Sequence, residues 1–155
     1  MKTLAISFTL LLALAACQGP QSGVTSVPGH GAIAIQVVPN PIMATKVSGN
    51  MYDFPFEVVV RETGGRPANV QRVSATVFLT GGLTLAQESW DAAQIRALGY
   101  NTSVGAHSET RYQFKPRKEV PDDRLFSGVS AELKVEAVDD TGTATSATTV
   151  VTVRR

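Results

Sequence analysis

Few side chains in this sequence could do chemistry, and their spacing limits what that chemistry could be. There is one cysteine, Cys17, and there are two histidines, His30 and His107. A zinc site takes three or four His, Cys or carboxylate ligands at close spacing, which two distant histidines and a lone thiol do not supply. Nucleophilic hydrolysis takes a serine or cysteine, a base and an orienting acid. Gly105-Ala106-His107-Ser108 sets a histidine beside a serine, but neighbours on an extended chain point to opposite sides, so His107 reads as a loop residue. His30, between Gly29 and Gly31, reads as a solvated linker residue. Asp122-Asp123 and Asp139-Asp140 are the oxygen-rich candidates for calcium. Calcium prefers six to eight oxygens, and neither pair lies in a run of alternating acids. Asp139-Asp140-Thr141-Gly142 instead has the make-up of a hairpin turn, type I followed by a left-handed glycine. The expectation is no metal, no cofactor and no catalytic residue.

Contact chemistry has better candidates. Arg111, Lys115, Arg117 and Lys118 fall within Arg-Tyr-Gln-Phe-Lys-Pro-Arg-Lys. On a strand, Arg111, Gln113 and Lys115 share a wet face while Tyr112 and Phe114 point inward. Arg111 and Lys115 could meet an anionic surface polymer, such as a lipid headgroup or a cell-wall phosphate; the other reading is a solvated strand face flanked by Glu109 and Glu119. Trp90 and Tyr100 bracket residues 84–108, a stretch too polar for a pure strand and too long for a turn. Long connections in compact domains are often functional, which makes both aromatics candidate contacts for an envelope protein. Trp90 also reads as a plug at the core edge.

The cysteine has a different explanation. Met1-Lys2-Thr3 is a short positive start, and an apolar run from Leu4 to Ala16 follows. Thirteen residues of helix span about 20 Å, too short for a hydrocarbon core of about 30 Å, so residues 1–16 read as a cleavable signal. Leu14-Ala15-Ala16-Cys17 resembles the lipobox of bacterial lipoproteins. That resemblance implies a diacylglyceryl group on the Cys17 thiol, cleavage before it and acylation of the new amino group. Three acyl chains bring on the order of forty methylenes at about 0.8 kcal/mol each, a membrane anchor that does not let go. Gln18 after the cysteine fits the family's sorting to the outer membrane, facing the periplasm or the cell surface. Residues 17–31, with Gly19, Pro20, Ser22, Gly23, Ser26, Pro28 and Gly29, read as the lipidated residue and a flexible tether.

The remaining elements must position whatever the chain binds. Without residues 1–16, 139 of the 155 residues remain, and 13 Lys and Arg balance 13 Asp and Glu. That balance excludes an electrostatically driven nucleic-acid binder; the length suits one domain, residues 32–155. Period two dominates there. Ile33, Ile35 and Val37 alternate with Ala34, Gln36 and Val38; Phe54, Phe56, Val58 and Val60 with Pro55, Glu57, Val59 and Arg61; Ala131, Leu133, Val135 and Ala137 with charged residues. Asp91 and Gln94 have capping-box spacing and Gly99 follows at a C′ distance, which predicts one short helix crossing between sheets. The expected fold is all-β, an antiparallel sandwich of seven or eight strands with at most one short helix. Small inward residues, Ala75, Ala131 and Ala137, suggest tight packing between the sheets.

The stretch Leu133-Lys134-Val135-Glu136-Ala137-Val138-Asp139-Asp140-Thr141-Gly142-Thr143-Ala144, followed by Thr149-Val150-Val151-Thr152-Val153, resembles the last hairpin of bacterial immunoglobulin-like and fibronectin-type modules. Phe54 to Glu62 with its Gly-Gly turn is similar to the same superfamily. The resemblance implies an immunoglobulin-like sandwich of the disulfide-free kind. The function this points to is a lipid-anchored, non-catalytic envelope module for binding, adhesion or assembly. The alternative is an enzyme inhibitor, a hydrolytic enzyme or a small-ligand carrier on the same scaffold, the last requiring an apolar cavity between the sheets.

Overall fold

Alternation in the sequence becomes alternation in burial almost residue for residue. In a computed structural model, which describes residues 23–25 and 29–155, the strands follow in chain order as β1 (Gly23–Thr25), β2 (Ile33–Val38), β3 (Ile42–Met43), β4 (Thr45–Ser48), β5 (Met51–Asp53) and β6 (Phe56–Glu62). Then come β7 (Ala68–Leu79), β8 (Thr84–Asp91), the helix α1 (Ala92–Ala97), β9 (Ser103–Val104), β10 (Glu109–Phe114) and β11 (Arg117–Glu119). A 3-10 turn (Asp123–Ser127) leads into the closing hairpin, β12 (Val129–Asp139) and β13 (Ala144–Arg154). The expected signal at 1–16, Cys17 and most of the tether lie outside the described residues.

The fold is an all-β antiparallel sandwich. Its larger sheet runs β1-β13-β12-β7-β8, with β3 also on β13 and β9 also on β7. Two smaller sheets, β10-β6-β2 and β11-β5-β4, make up the rest. Among the described residues, only β3 beside β13 is a parallel pairing. Seven strands have six or more residues, namely β2, β6, β7, β8, β10, β12 and β13; β1, β3 and β9 add to the larger sheet, and β4, β5 and β11 pair with one another. The buried row of β12, Ala131, Leu133, Val135 and Ala137, lies beside Val77, Ala75, Val73 and Val70 of β7. Ile33, Ile35, Val58, Val60 and Tyr112 belong to the same core. Apolar burial of this kind, at about 25 cal/mol per Å², is the main term holding the layers together.

The structure departs from the sequence reading in several places. Gly23–Thr25, inside the stretch read as a flexible tether, pairs antiparallel with β13 as Gly23 opposite Thr148 and Thr25 opposite Ser146. Helix α1 has the expected capping box, with the Gln94 N–H donating to Asp91 Oδ1 at 2.8 Å and the Asp91 N–H to Gln94 Oε1 at 2.9 Å. It does not cross between sheets, because β8 and β9 on either side of it both pair with β7. The 3-10 turn comes in addition to the one helix expected; Asp122 caps it by accepting from the Arg124 N–H at 2.9 Å, and Phe126 buries its apolar side. Val59, placed by alternation on the wet face of β6, is buried there beside Gln36 and Arg111.

One end of the sandwich is pinned by two carboxylates. Buried Glu62 accepts four backbone N–H groups, from Ala32 at 3.2 Å, Gly64 at 2.7 Å, Gly65 at 2.9 Å and His107 at 2.9 Å. Burial alone would raise its pKa, but the four N–H dipoles outweigh that and hold it below the ordinary value. Gly64 is required here, since a Cβ would stand 2.4 Å from the His30 carbonyl oxygen. Asp139 accepts from the Thr141 hydroxyl at 2.5 Å, and from the N–H groups of Gly31, Thr141 and Thr143 at 2.9, 2.9 and 2.8 Å. The Thr141 hydroxyl and these N–H groups press its carboxyl far below the usual range. The turn is the one its composition predicts: the Gly142 N–H donates to the Asp139 carbonyl at 3.0 Å, and Gly142 has φ of +87°. His30 is no free linker residue, because its Nδ1 lies 2.9 Å from the Thr143 hydroxyl and 3.5 Å from Asp139.

Candidate functional site

Trp90, Tyr100, Arg111 and Lys115 do not converge on one surface feature. Trp90 sits on the inward side of edge strand β8, opposite Val73, and stacks on Phe114 with ring centroids 4.2 Å apart. Phe56 meets the indole edge-on at 6.2 Å. The ring is therefore a half-buried plug, as one of the two sequence readings has it. Tyr100 is half-buried and meets Tyr112 edge-on at 5.8 Å. Arg111 and Lys115 do share the wet face of the β10 region, but both are engaged. Arg111 pairs with Glu57 at 2.8 Å and Glu109 at 2.6 Å; Lys115 pairs with Asp53 at 3.0 Å. Arg117 holds the same Asp53 from its other side at 2.6 Å, and these two cations lower the Asp53 pKa to about 2. A cluster whose positive charges are already matched by carboxylates has little potential left for a polyanion.

Among the described residues, no group of three or more His, Cys, Asp or Glu side chains could hold a metal ion. Asp123 of the first acidic pair takes the Tyr52 hydroxyl at 2.5 Å and also pairs with Arg155. His107, the other histidine, lies in the loop that caps Glu62, at φ of +54°. No described helix is long and apolar enough to cross a membrane.

The feature that sequence reasoning missed is at the end away from Glu62 and Asp139. A cavity of about 310 Å³ lies between the sheets. Its larger-sheet wall contains Ala75, Ala131 and Leu133, and Phe54, Phe56 and Phe126 line it from other elements. Three local causes open it. Ala75 beside Leu133 and Ala131 beside Val77 place two methyl groups where larger side chains would close the gap. The smaller layer is split there, because β10 ends at Phe114 and β11 begins at Arg117 with Pro116 between them, a residue with no N–H for a ladder. Edge strand β8 turns Glu88, not an apolar residue, to the inward position opposite Ala75. Two of the three small residues that suggested tight packing, Ala75 and Ala131, leave the space, whereas Ala137 packs beside Val70 away from it.

The cavity opens between β8 and β11, where Leu85, Glu88 and Lys118 are among its lining residues. The Lys118 ammonium pairs with the Glu88 carboxylate across this mouth, tying one strand to the other. Leu85 stands 41% exposed on the rim. An apolar enclosure with a few polar groups at one side is the usual form of a small-molecule site, and about 310 Å³ is at the lower end of the range such sites occupy. The sequence signal was present in the alternation of β8, where Ala86, Glu88 and Trp90 form one row; a carboxylate between two inward residues marks an edge strand bordering an incomplete core.

No family model and no curated protein matches the sequence. Solved structures do resemble its fold. The chain is similar to an X-ray structure of a Northeast Structural Genomics Consortium target at a TM-score of 0.55 and 9% identity, over 83% of this chain and 90% of that one. A crystal structure assigned as the ApaA protein from Bordetella pertussis aligns over 86% of this chain and 96% of its own, at a TM-score of 0.46 and 14% identity. The C-terminal domain of wzt gives 0.44 at 13% identity, over 88% of this chain and 80% of that domain. At these identities the first likeness shows a shared β fold.

Proposed function

We propose that this chain is a lipid-anchored, non-catalytic binding module of a bacterial envelope. The observation that carries the binding half is the apolar cavity between the sheets, open at the β8 edge. It favours the ligand-carrying variant of a sandwich module over a pure spacer, which gains nothing from an incompletely filled core. The charged pair at the mouth, Glu88 with Lys118, is mutually neutralised, an arrangement suited to orienting a ligand more than to transferring a proton. The anchoring half rests on Leu14-Ala15-Ala16-Cys17. Anchoring holds the module at the outer membrane, where it meets envelope proteins or molecules released from the envelope.

The test is fractionation with intact mass measurement, comparing the native chain with Cys17→Ala. The native chain is expected in the membrane fraction with the mass of a lipidated Cys17, and the variant in the soluble fraction without it. Native mass spectrometry of the membrane-extracted protein is expected to show a retained small apolar molecule that disappears when the cavity is filled by Ala131→Leu. A variant that stays on membranes and a cavity with no co-purifying ligand would together overturn the reading.

A further inference from the structure

The ligand class follows from which half of the Glu88–Lys118 pair can leave the mouth; this step rests on the binding-module reading. Glu88 occupies an inward position of β8, opposite Ala75, on a short side chain. Lys118 reaches the same point from β11 on a four-carbon stem, its side chain 43% exposed against 33% for Glu88. A lysine displaced from its partner can swing its ammonium into water while its stem still covers apolar surface. A glutamate displaced at an inward position is left half-buried without a counter-charge, which is the costly outcome. An anionic ligand on Lys118 would strand Glu88. A cationic ligand on Glu88 releases Lys118 to solvent and keeps the carboxylate paired.

Size sets the rest. Space of about 310 Å³ corresponds to about ten groups the size of a water molecule. The walls are aliphatic and aromatic, so the buried portion of the ligand is hydrocarbon.

We propose that the intersheet cavity binds a small cationic amphiphile, with an apolar body of about ten non-hydrogen atoms against Ala75, Ala131 and Phe56 and a protonated amine on Glu88 in place of Lys118. Trp90 is a built-in reporter, being the only tryptophan in the chain and in edge contact with Phe56 of the cavity wall.

The experiment titrates the full chain, held in phosphatidylcholine vesicles, with n-octylamine and separately with n-octanoate, following Trp90 fluorescence. Expected is a saturable response to octylamine, with octanoate weaker by about tenfold or more. Glu88→Gln, which keeps the shape of the side chain, is expected to weaken octylamine by about tenfold and to narrow its advantage over octanoate. Ala75→Leu fills the cavity and is expected to abolish both responses. A response that never saturates, or one that survives Ala75→Leu in a folded variant, overturns the site. Octanoate binding as tightly as octylamine, or Glu88→Gln leaving octylamine unchanged, overturns the assignment of a cation. Should Ala75→Leu fail to fold, Glu88→Gln at its half-exposed position still decides. A failed titration with lipidated protein leaves the anchored module standing, whereas octylamine binding by a Cys17→Ala chain that remains on membranes removes the anchor and keeps the site.

Discussion

The carboxylate of Glu62 and the backbone N–H of His107 meet at 2.9 Å, joining the end of β6 to the loop that precedes β10. The same carboxylate holds Ala32, Gly64 and Gly65, so one side chain fixes three separate turns of the chain. This is a buried charge whose counterpart is a set of backbone dipoles instead of a cation.

Acid should therefore loosen the fold. Glu62, Asp53 and Asp139 all have folded pKa values below their ordinary ones, that of Asp53 at about 2. Between those values and the unfolded values of roughly 4, the unfolded chain binds more protons, so stability rises with pH in that window. The contribution is complete above about pH 5 and is lost as pH falls from about 4.5 toward 2. Urea denaturation at a series of pH values checks this. Glu62→Gln should lower stability at neutral pH by about 1–3 kcal/mol, because an amide cannot accept from four donors, and should flatten the acid slope; an unchanged slope would show that Glu62 does not carry it.

Gly64→Ala tests the close approach of backbone at that turn. The added Cβ would lie 2.4 Å from the His30 carbonyl oxygen and 2.6 Å from the Ala32 nitrogen, neither of which can move alone. A loss of about 1–3 kcal/mol is expected, read as a lower urea midpoint at unchanged slope. A substitution tolerated without loss would mean the two segments are not held together.

Helix α1 depends on one buried anchor and one cap. Ile95 is fully buried, so Ile95→Ala should cost about 2–5 kcal/mol. Asp91→Ala should cost about 1 kcal/mol by removing the capping box. Amide exchange across 92–99 should accelerate in the second variant well before global unfolding; equal exchange in both chains would contradict the capping role.

Trp90 and the basic strand face should respond unequally to substitution. Trp90→Ala removes the ring stacked on Phe114 and should destabilise by about 3 kcal/mol. Lys115→Ala should change stability by less than about 1 kcal/mol, because the lysine is exposed and Arg117 still holds the buried Asp53. Thermal unfolding of the two variants separates a core plug from a solvated face. A Trp90→Ala chain as stable as the parent would return this residue to the contact candidates.

What could be read from the sequence was what local pattern controls. Alternation gave β2 and β12 their faces, and β6 its own apart from Val59, and Asp91 with Gln94 gave α1 its start. The Asp139–Gly142 turn followed from composition, since few residue types accept its backbone angles. What could not be read depends on partners distant in sequence. Nothing local in Gly23–Thr25 shows that β13 has an open edge to receive it, and nothing in Glu62 shows that three loops converge on it. The cavity was misjudged for the same reason. Ala75 and Ala131 pack closely if the opposite layer is continuous, and the break at Pro116 together with the inward Glu88 makes them leave a gap. Glu109 beside Arg111 was in plain view, but the other carboxylate partners of Arg111 and Lys115, Glu57 and Asp53, come from strands far earlier in the chain.

The pairing of Gly23–Thr25 with β13 bears on how an anchored chain would stand over a bilayer. With Cys17 in the lipid, residues 18–22 separate the acyl chains from the first paired residue, a leash of about 20 Å at full stretch. The domain is then moored by one flank and cannot roam over the distance the whole stretch 17–31 would permit. Across the larger sheet, β8 lies four strand spacings from β1, or about 19 Å. Mooring at the β1 flank would thus leave the cavity mouth on the edge of the larger sheet remote from the anchor, and a guest would enter and leave without passing the moored flank.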